Sequence, residues 1–230
     1  MLRLPILSIP LILANMMLPA MAAEPLTAVQ ARIDQSAAQF KGLSAKIKRV
    51  SYTAVIKDKT EESGTIVIKR VKPGDTRIKI DIVEPSARTM AIGKHKYENF
   101  MPKIATVQDV DLGKYAKLVD QFMLLGFGTP TKELLASYTM KVTGEETING
   151  QPTTRIELVP KLASISEHLK RVEMWLPLKE GYPVQQVFHK PSGDYELSLY
   201  SEVKWNANLS EADVTLKLPK GVKREYPLKD

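Results

Sequence analysis

Side chains able to do chemistry are few in this chain. His95, His168 and His189 are its only histidines; they fall in separate strand or loop segments, and no two have the spacing of paired metal ligands, so no metal site is expected. Cysteine is absent, which removes thiolate nucleophiles, disulfides and a lipid-modifiable cysteine. The acidic pairs Glu61-Glu62 and Glu145-Glu146 lie in turn-like stretches, where a solvated role outweighs acid–base work. Gly126-Phe127-Gly128 shares only part of a phosphate-binding loop, without its third glycine or a preceding parallel strand, and no G-x-S-x-G elbow occurs. No catalytic residue and no cofactor are expected; the chain does not read as an enzyme.

What remains is apolar. Residues 121–128, QFMLLGFG, gather Phe122, Met123, Leu124, Leu125 and Phe127 beside Gly126 and Gly128. Met90, Met101, Met123, Met140 and Met174 are spread over the neighbouring segments, and methionine suits adaptable contact surfaces. Two readings stand: a core helix ending in a glycine cap, or a movable apolar wall of a ligand cavity.

The ends and the composition narrow the setting. The opening MLRLPILSIPLILANMMLPAMAAEP has one basic residue, an apolar stretch and small residues at Ala20 and Ala22, the layout of a secretory signal peptide over 1–22 cut near Ala22-Ala23. Pro5, Pro10 and Pro19 argue against a membrane helix there. Residues 23–230, about 208 in number, suffice for a single domain whose core must carry stability without disulfides. The formal net charge of +7 is spread along the strands and not clustered with aromatics, so no nucleic-acid partner is expected. The surplus favours anionic headgroups or an acidic partner.

Periodicity supplies the elements. Leu26, Val29, Ile33, Ala37 and Phe40 recur at helical spacing and open the domain with an amphipathic helix. Period-two runs follow at 46–56, 64–71, 76–83 and 88–93, bounded by turn chemistry at 57–64, 72–75 and 84–86. Ile78, Ile80 and Ile82 share one face of the third run, while Arg77, Lys79 and Asp81 share a wet one. Residues 96–112 read as two strands turning near Met101-Pro102-Lys103. The period then switches to helical over 113–128, with a further turn or two at 132–137. Strand signals resume at 138–146, 153–160, 170–178, 182–190 and 195–205, and 214–219 is a candidate to close the set.

About ten or eleven antiparallel strands with so few helices make a mainly β (α+β) fold. So large a twisted sheet curls, and the economical arrangement is an incomplete antiparallel barrel with helices forming a lid over a hydrophobic cavity.

Five features taken in order carry a resemblance: GTIVIKR at 64–70, the block through KYENFMPKIATVQ, FML at 122–124, LVPK at 158–161 and PKGVK at 219–223. Together they resemble the periplasmic outer-membrane lipoprotein carriers, the LolA-like sorting proteins, along most of residues 23–230. That resemblance implies a half-barrel that receives acyl chains of lipoproteins. It also implies an inner-membrane ABC-type release complex as donor, an outer-membrane acceptor, no cofactor, a periplasmic location and a monomer. Arg70, after Lys69 on an early strand, takes the place of the family's latch, which here would bond the backbone of Leu125 and Gly126. The implied cavity and lid residues are Ile66, Ile68, Ile80, Leu118, Phe122, Met123, Leu125 and Phe127. Val67 and the Val71-Lys72-Pro73 turn depart from the family pattern, as does the basic tail at 223–230. A carrier of free lipids or glycolipids and an envelope lipid or stress sensor are the alternative readings.

Overall fold

The computed structural model describes residues 24–93, 95–113, 119 and 124–227; the signal-peptide reading of 1–22 lies outside them. α1 (Leu26–Gln39) comes first. It is followed by β1 (Gly42–Thr53), β2 (Asp58–Lys72), β3 (Asp75–Glu84), β4 (Arg88–Gly93), β5 (Lys96–Met101) and β6 (Thr106–Asp111). After the segment 124–130 come α2 (Thr131–Ser137), β7 (Tyr138–Ile148), β8 (Gln151–Pro160), the single turn α3 (Ala163–Ser166), β9 (Arg171–Pro177), β10 (Gln185–His189), β11 (Tyr195–Trp205) and β12 (Lys223–Glu225).

All twelve strands form one sheet, ordered β12-β6-β5-β4-β3-β2-β1-β11-β10-β9-β8-β7. Its outer strands β12 and β7 do not pair with each other, so the barrel is incomplete. Every pairing is antiparallel except β12 with β6. We call the end of the sheet at which β1 turns into β2 the upper end; by the pairing register the β3–β4, β5–β6, β8–β9 and β10–β11 connections lie there too.

Two apolar clusters fill the concave face. The first joins Val29 and Ile33 of α1 to Tyr138, Ile156, Leu158 and Met174 on β7 to β9. The second joins Phe40 to Leu43, Ile47, Ile66, Ile68, Ile78 and Ile80 on β1 to β3. Period-two alternation delivers these side chains to one face, and α1 lays its apolar stripe on them.

Several expectations change. The stretch 57–64 is not a turn: β2 begins at Asp58, residues 58–62 pair with β1 alone, and the hairpin turns at 54–57. The face of β3 opposite its isoleucines is not uniformly wet. Arg77 is buried on it, bonded by Nε and Nη2 to Asp75 at 3.0 and 2.8 Å and paired through Nη1 with Glu211. The chain after β11 supplies that cover. Residues 214–219 therefore form no strand; a short 3-10 turn, Glu211–Val214, packs on β2 and β3 instead. The last strand lies further on, where Lys223 pairs with Thr106 at the upper end of β6. The chain reaches that edge at its upper end and must run down it in parallel.

Close approach fixes one glycine. At the bulge between β2 and β3, a Cβ on Gly64 would lie 1.9 Å from the carbonyl oxygen of Asp81. Backbone is the obstacle, so it cannot swing aside. Gly64→Ala is expected to destabilise the protein by about 1–3 kcal/mol, the usual cost of overpacking, read as a lowered Tm in thermal unfolding.

Candidate functional site: a cavity on the concave face

Leu125 and Phe127 come from one short segment, yet they enter different clusters. Leu125 packs with α1 and β7 to β9, and Phe127 packs with β1 to β3. Residues 124–126 form a turn and 127–128 a bend, so this end of the expected helix 113–128 is not helical. Residue 119 is helical, whereas Leu118, Phe122 and Met123 lie outside the described residues. Gly126 and Gly128 have φ of +84° and +76°, values that favour glycine. At Gly128 a Cβ would also strike the Phe40 ring at 2.4 Å. The backbone can reverse there only because both positions lack a side chain.

Side chains from the sheet hold this segment. Arg70 Nη2 donates to the carbonyl of Gly128 at 2.9 Å and Nη1 to that of Ala37, at the end of α1, at 3.4 Å. Its guanidinium lies 5.3 Å from the Phe40 ring centroid, a cation–π contact. Arg70 thus projects to the concave side as its parity on β2 requires, but its carbonyl partners are Gly128 and Ala37 in place of Leu125 and Gly126. The Leu125 carbonyl belongs to Gln186, whose Nε2 donates to it at 2.7 Å. Gln186 in turn accepts from the Tyr200 hydroxyl at 2.8 Å, and Phe127 meets the Tyr200 ring edge-on at 5.1 Å. Beyond the lid, Asp34 accepts from the backbone and hydroxyl of Thr131 at 2.7 and 2.6 Å, fastening α2 to α1.

Gln186 escaped the sequence reading. Its only signal was parity: an amide in QQVFH on the residue set that faces inward beside Phe188. Buried to 2% exposure, it must find partners, and the lid carbonyl is one.

Next to this lid lies a cavity of about 480 Å³, within the usual range of small-molecule sites. Its apolar wall includes Ile47, Ile80, Met90, Ile92, Phe188 and Tyr200. Ile80 is the one proposed cavity residue among the described ones that lines it. Ile66, Ile68 and Leu125 pack in the two clusters instead, and Phe127, packed in the second, also borders a separate hollow beside Arg70 and Gly128.

The upper end of the cavity is charged. Arg49 lies 3.6 Å from Glu62 and 3.4 Å from Glu196, Lys190 pairs with Glu196 at 2.7 Å, and Arg88 with Glu62 at 2.6 Å. Arg49, Lys190 and Glu196 line the space, joined there by His168. Burial opposes ionisation of Glu196, but Lys190 and Arg49 hold its carboxyl below the ordinary range. Burial pushes the Tyr200 hydroxyl up to about 12. His189, read as solvated, faces Glu173 at 2.7 Å away from the cavity lining. Among the described residues no group of three or more His, Cys, Asp or Glu is placed to hold a metal.

No protein-family model matches the sequence, and no curated protein matches it. Solved structures do share its shape. An uncharacterized conserved protein from Thermus thermophilus aligns with a TM-score of 0.54 at 12% identity, over 87% of this chain and 98% of the other. MucB aligns with a TM-score of 0.52 at 12% identity over 83% of this chain; the chain spans 62% of MucB. A LolA superfamily protein, NE2245 from Nitrosomonas europaea, aligns at 14% identity and a TM-score of 0.42, over 84% and 99% of the two chains. The open sheet carries a helix and a turn on its concave face, tied down by a strand arginine. Its fold is similar to those of MucB and the Thermus thermophilus protein. At these identities the likeness is one of fold. Among the described residues no helix is long and apolar enough to cross a membrane.

Two measurements test the lid's fastenings. Arg70→Leu removes a charged donor worth about 1.5–3 kcal/mol. Hydrogen exchange of the peptide covering 124–134 should then accelerate by about ten- to a hundredfold; unchanged protection would show that Arg70 does not restrain it. For Tyr200 the folded pKa lies above the unfolded value of about 10. Its stabilisation is therefore complete below pH 10 and is lost as pH rises through about 12. Absorbance titration of the wild type should show a tyrosine step near pH 12 that Tyr200→Phe diminishes.

Proposed function

We propose that this protein is a periplasmic carrier, exported by residues 1–22, that binds lipid acyl chains in the concave cavity and shields them from water. The observation that carries the reading is the cavity of about 480 Å³, walled by isoleucine, methionine and aromatic side chains at one end of an open sheet. Acyl methylenes gain about 0.8 kcal/mol each on leaving water, so even a partly enclosed chain is held without any directed contact. The lid segment and Arg70 act as the gate, with Leu118, Phe122 and Met123 as further lid residues. The fold supports a lipid or lipoprotein carrier; in the finer reading, the cargo is an acylated lipoprotein received from an inner-membrane ABC-type release complex and handed to an outer-membrane acceptor.

No reaction is needed for this role. The three histidines do not line one site together, and the charged groups near the cavity are spent on one another. Glu62 and Glu196 neutralise most of what Arg88, Arg49 and Lys190 bring, which leaves the floor apolar and the mouth polar. That division suits an amphiphile lying tail inwards.

The test is native mass spectrometry of mature protein isolated from its own periplasm, followed by lipid extraction, with Met90→Trp as a variant that fills the cavity. Bound acyl lipid is expected in the wild type. In the variant, occupancy should fall several-fold at an unchanged fold by circular dichroism. A cavity empty in both would overturn carriage. Free lipid or glycolipid in the extract, without acylated protein, would replace the lipoprotein with a simpler cargo.

A further inference from the structure

Exposure of large apolar side chains is concentrated at one end of this molecule. Among the described residues the four most exposed are Val55 at 87%, Ile56 at 68%, Val83 at 64% and Ile104 at 61%. Val55 and Ile56 form the tip of the β1–β2 hairpin, Val83 is the bulged residue before the β3–β4 turn, and Ile104 lies in the β5–β6 turn. By register all three connections are at the upper end of the sheet. Leu162, 49% exposed, stands at the same end in the β8–β9 connection. This is also the end to which the cavity's charged lining, Arg49, Lys190 and Glu196, belongs. The lid and the end of α1 close the opposite side.

We propose that this rim docks the cavity mouth onto a lipid bilayer surface, with the apolar tips entering the interface. The tips sit on separate turns, divided by whole strands, so they make no continuous patch for a folded partner to cover. A bilayer interface accepts separate points of insertion. The β1–β2 tip is built to reach, since residues 58–62 extend past the end of β3 and pair with β1 alone. Basic residues accompany the tips: Lys57 and Lys59 follow Ile56, Lys103 precedes Ile104, and Lys170 closes the β8–β9 connection, all exposed and without an ion pair among the described residues. Asp58, Glu84 and Glu167 offset part of this charge. The apolar tips therefore supply the attachment and the lysines a moderate preference for anionic headgroups. The docking surface rests on exposure and charge at the rim; only its purpose, letting a chain pass between bilayer and cavity without crossing water, rests on the carrier reading.

The experiment is flotation of mature protein with vesicles of phosphatidylcholine alone and of phosphatidylcholine with phosphatidylglycerol. Wild type is expected to float with both and more strongly with the anionic vesicles. The double variant V55S/I56S should partition about tenfold more weakly, the scale expected when interfacial apolar area is removed. K57S/K59S should lose mainly the anionic preference. Circular dichroism and Tm should match wild type, since these side chains are exposed. Absence of wild-type flotation, or equal flotation by V55S/I56S, would overturn the proposal. Loss of a dimer in sedimentation velocity as the variant's sole effect would do the same, making the rim a contact between copies. Flotation by a protein whose extracted cavity proves empty would leave docking standing and remove carriage.

Discussion

A sheet this long has one face to bury and, among the described residues, too few helices to cover it. The interaction on which the remainder depends is the bridge made by residues 124–128 across the two apolar clusters. Leu125 and Phe127 each remove from water a side chain worth about 1.5–3 kcal/mol when fully buried, and they do so on opposite halves of the concave face. The backbone carrying them is irregular and lies over apolar side chains, so its carbonyls need partners; an unsatisfied one costs about 1–3 kcal/mol. Gln186 and Arg70 meet Leu125 and Gly128 from two different parts of the sheet. The segment is thereby fixed by a few polar contacts over an apolar seat.

The same constraint explains why space remains. Around the 124–128 segment Ile68, Ile156 and Leu158 are packed to 0% exposure, whereas the cavity lies beside Ile47 of β1, Phe188 of β10 and Tyr200 of β11. Inward positions there change from apolar to charged, from Ile47 to Arg49 on β1 and from Phe188 on β10 to Lys190 just after it. These charges sit where water meets the cavity, and their pairing across strands keeps the mouth polar without placing a lone charge against the apolar wall.

The convex face shows how the chain manages its free edge. After β11 the chain crosses that face, fastens over Arg77 and pairs as β12 with β6. The strap buries a strand arginine with two carboxylate partners and occupies backbone groups that an exposed edge would offer to another molecule.

Much of this architecture was legible in the residues. Period-two runs placed β2 to β6 and β7 to β11 on their segments, the spacing of Val29, Ile33 and Ala37 defined α1, and the parity of Ile66, Ile68 and Arg70 put the guanidinium on the concave side, because local sterics fix these periodicities whatever lies nearby. Other features depended on segments distant in sequence. Residues 214–219 alternate like a strand but found no edge to pair with, while Lys223–Glu225 did. Leu125 and Phe127 look like neighbours in one apolar wall, yet a turn with two left-handed glycines sends them into separate cores. Gln186, a plain amide in a strand, acquires its role only because Leu125 O lands 2.7 Å away. The sequence alone determined which residues face inwards; the curl of the sheet decided which of them meet, which carbonyl each polar group serves and where the face is left unfilled.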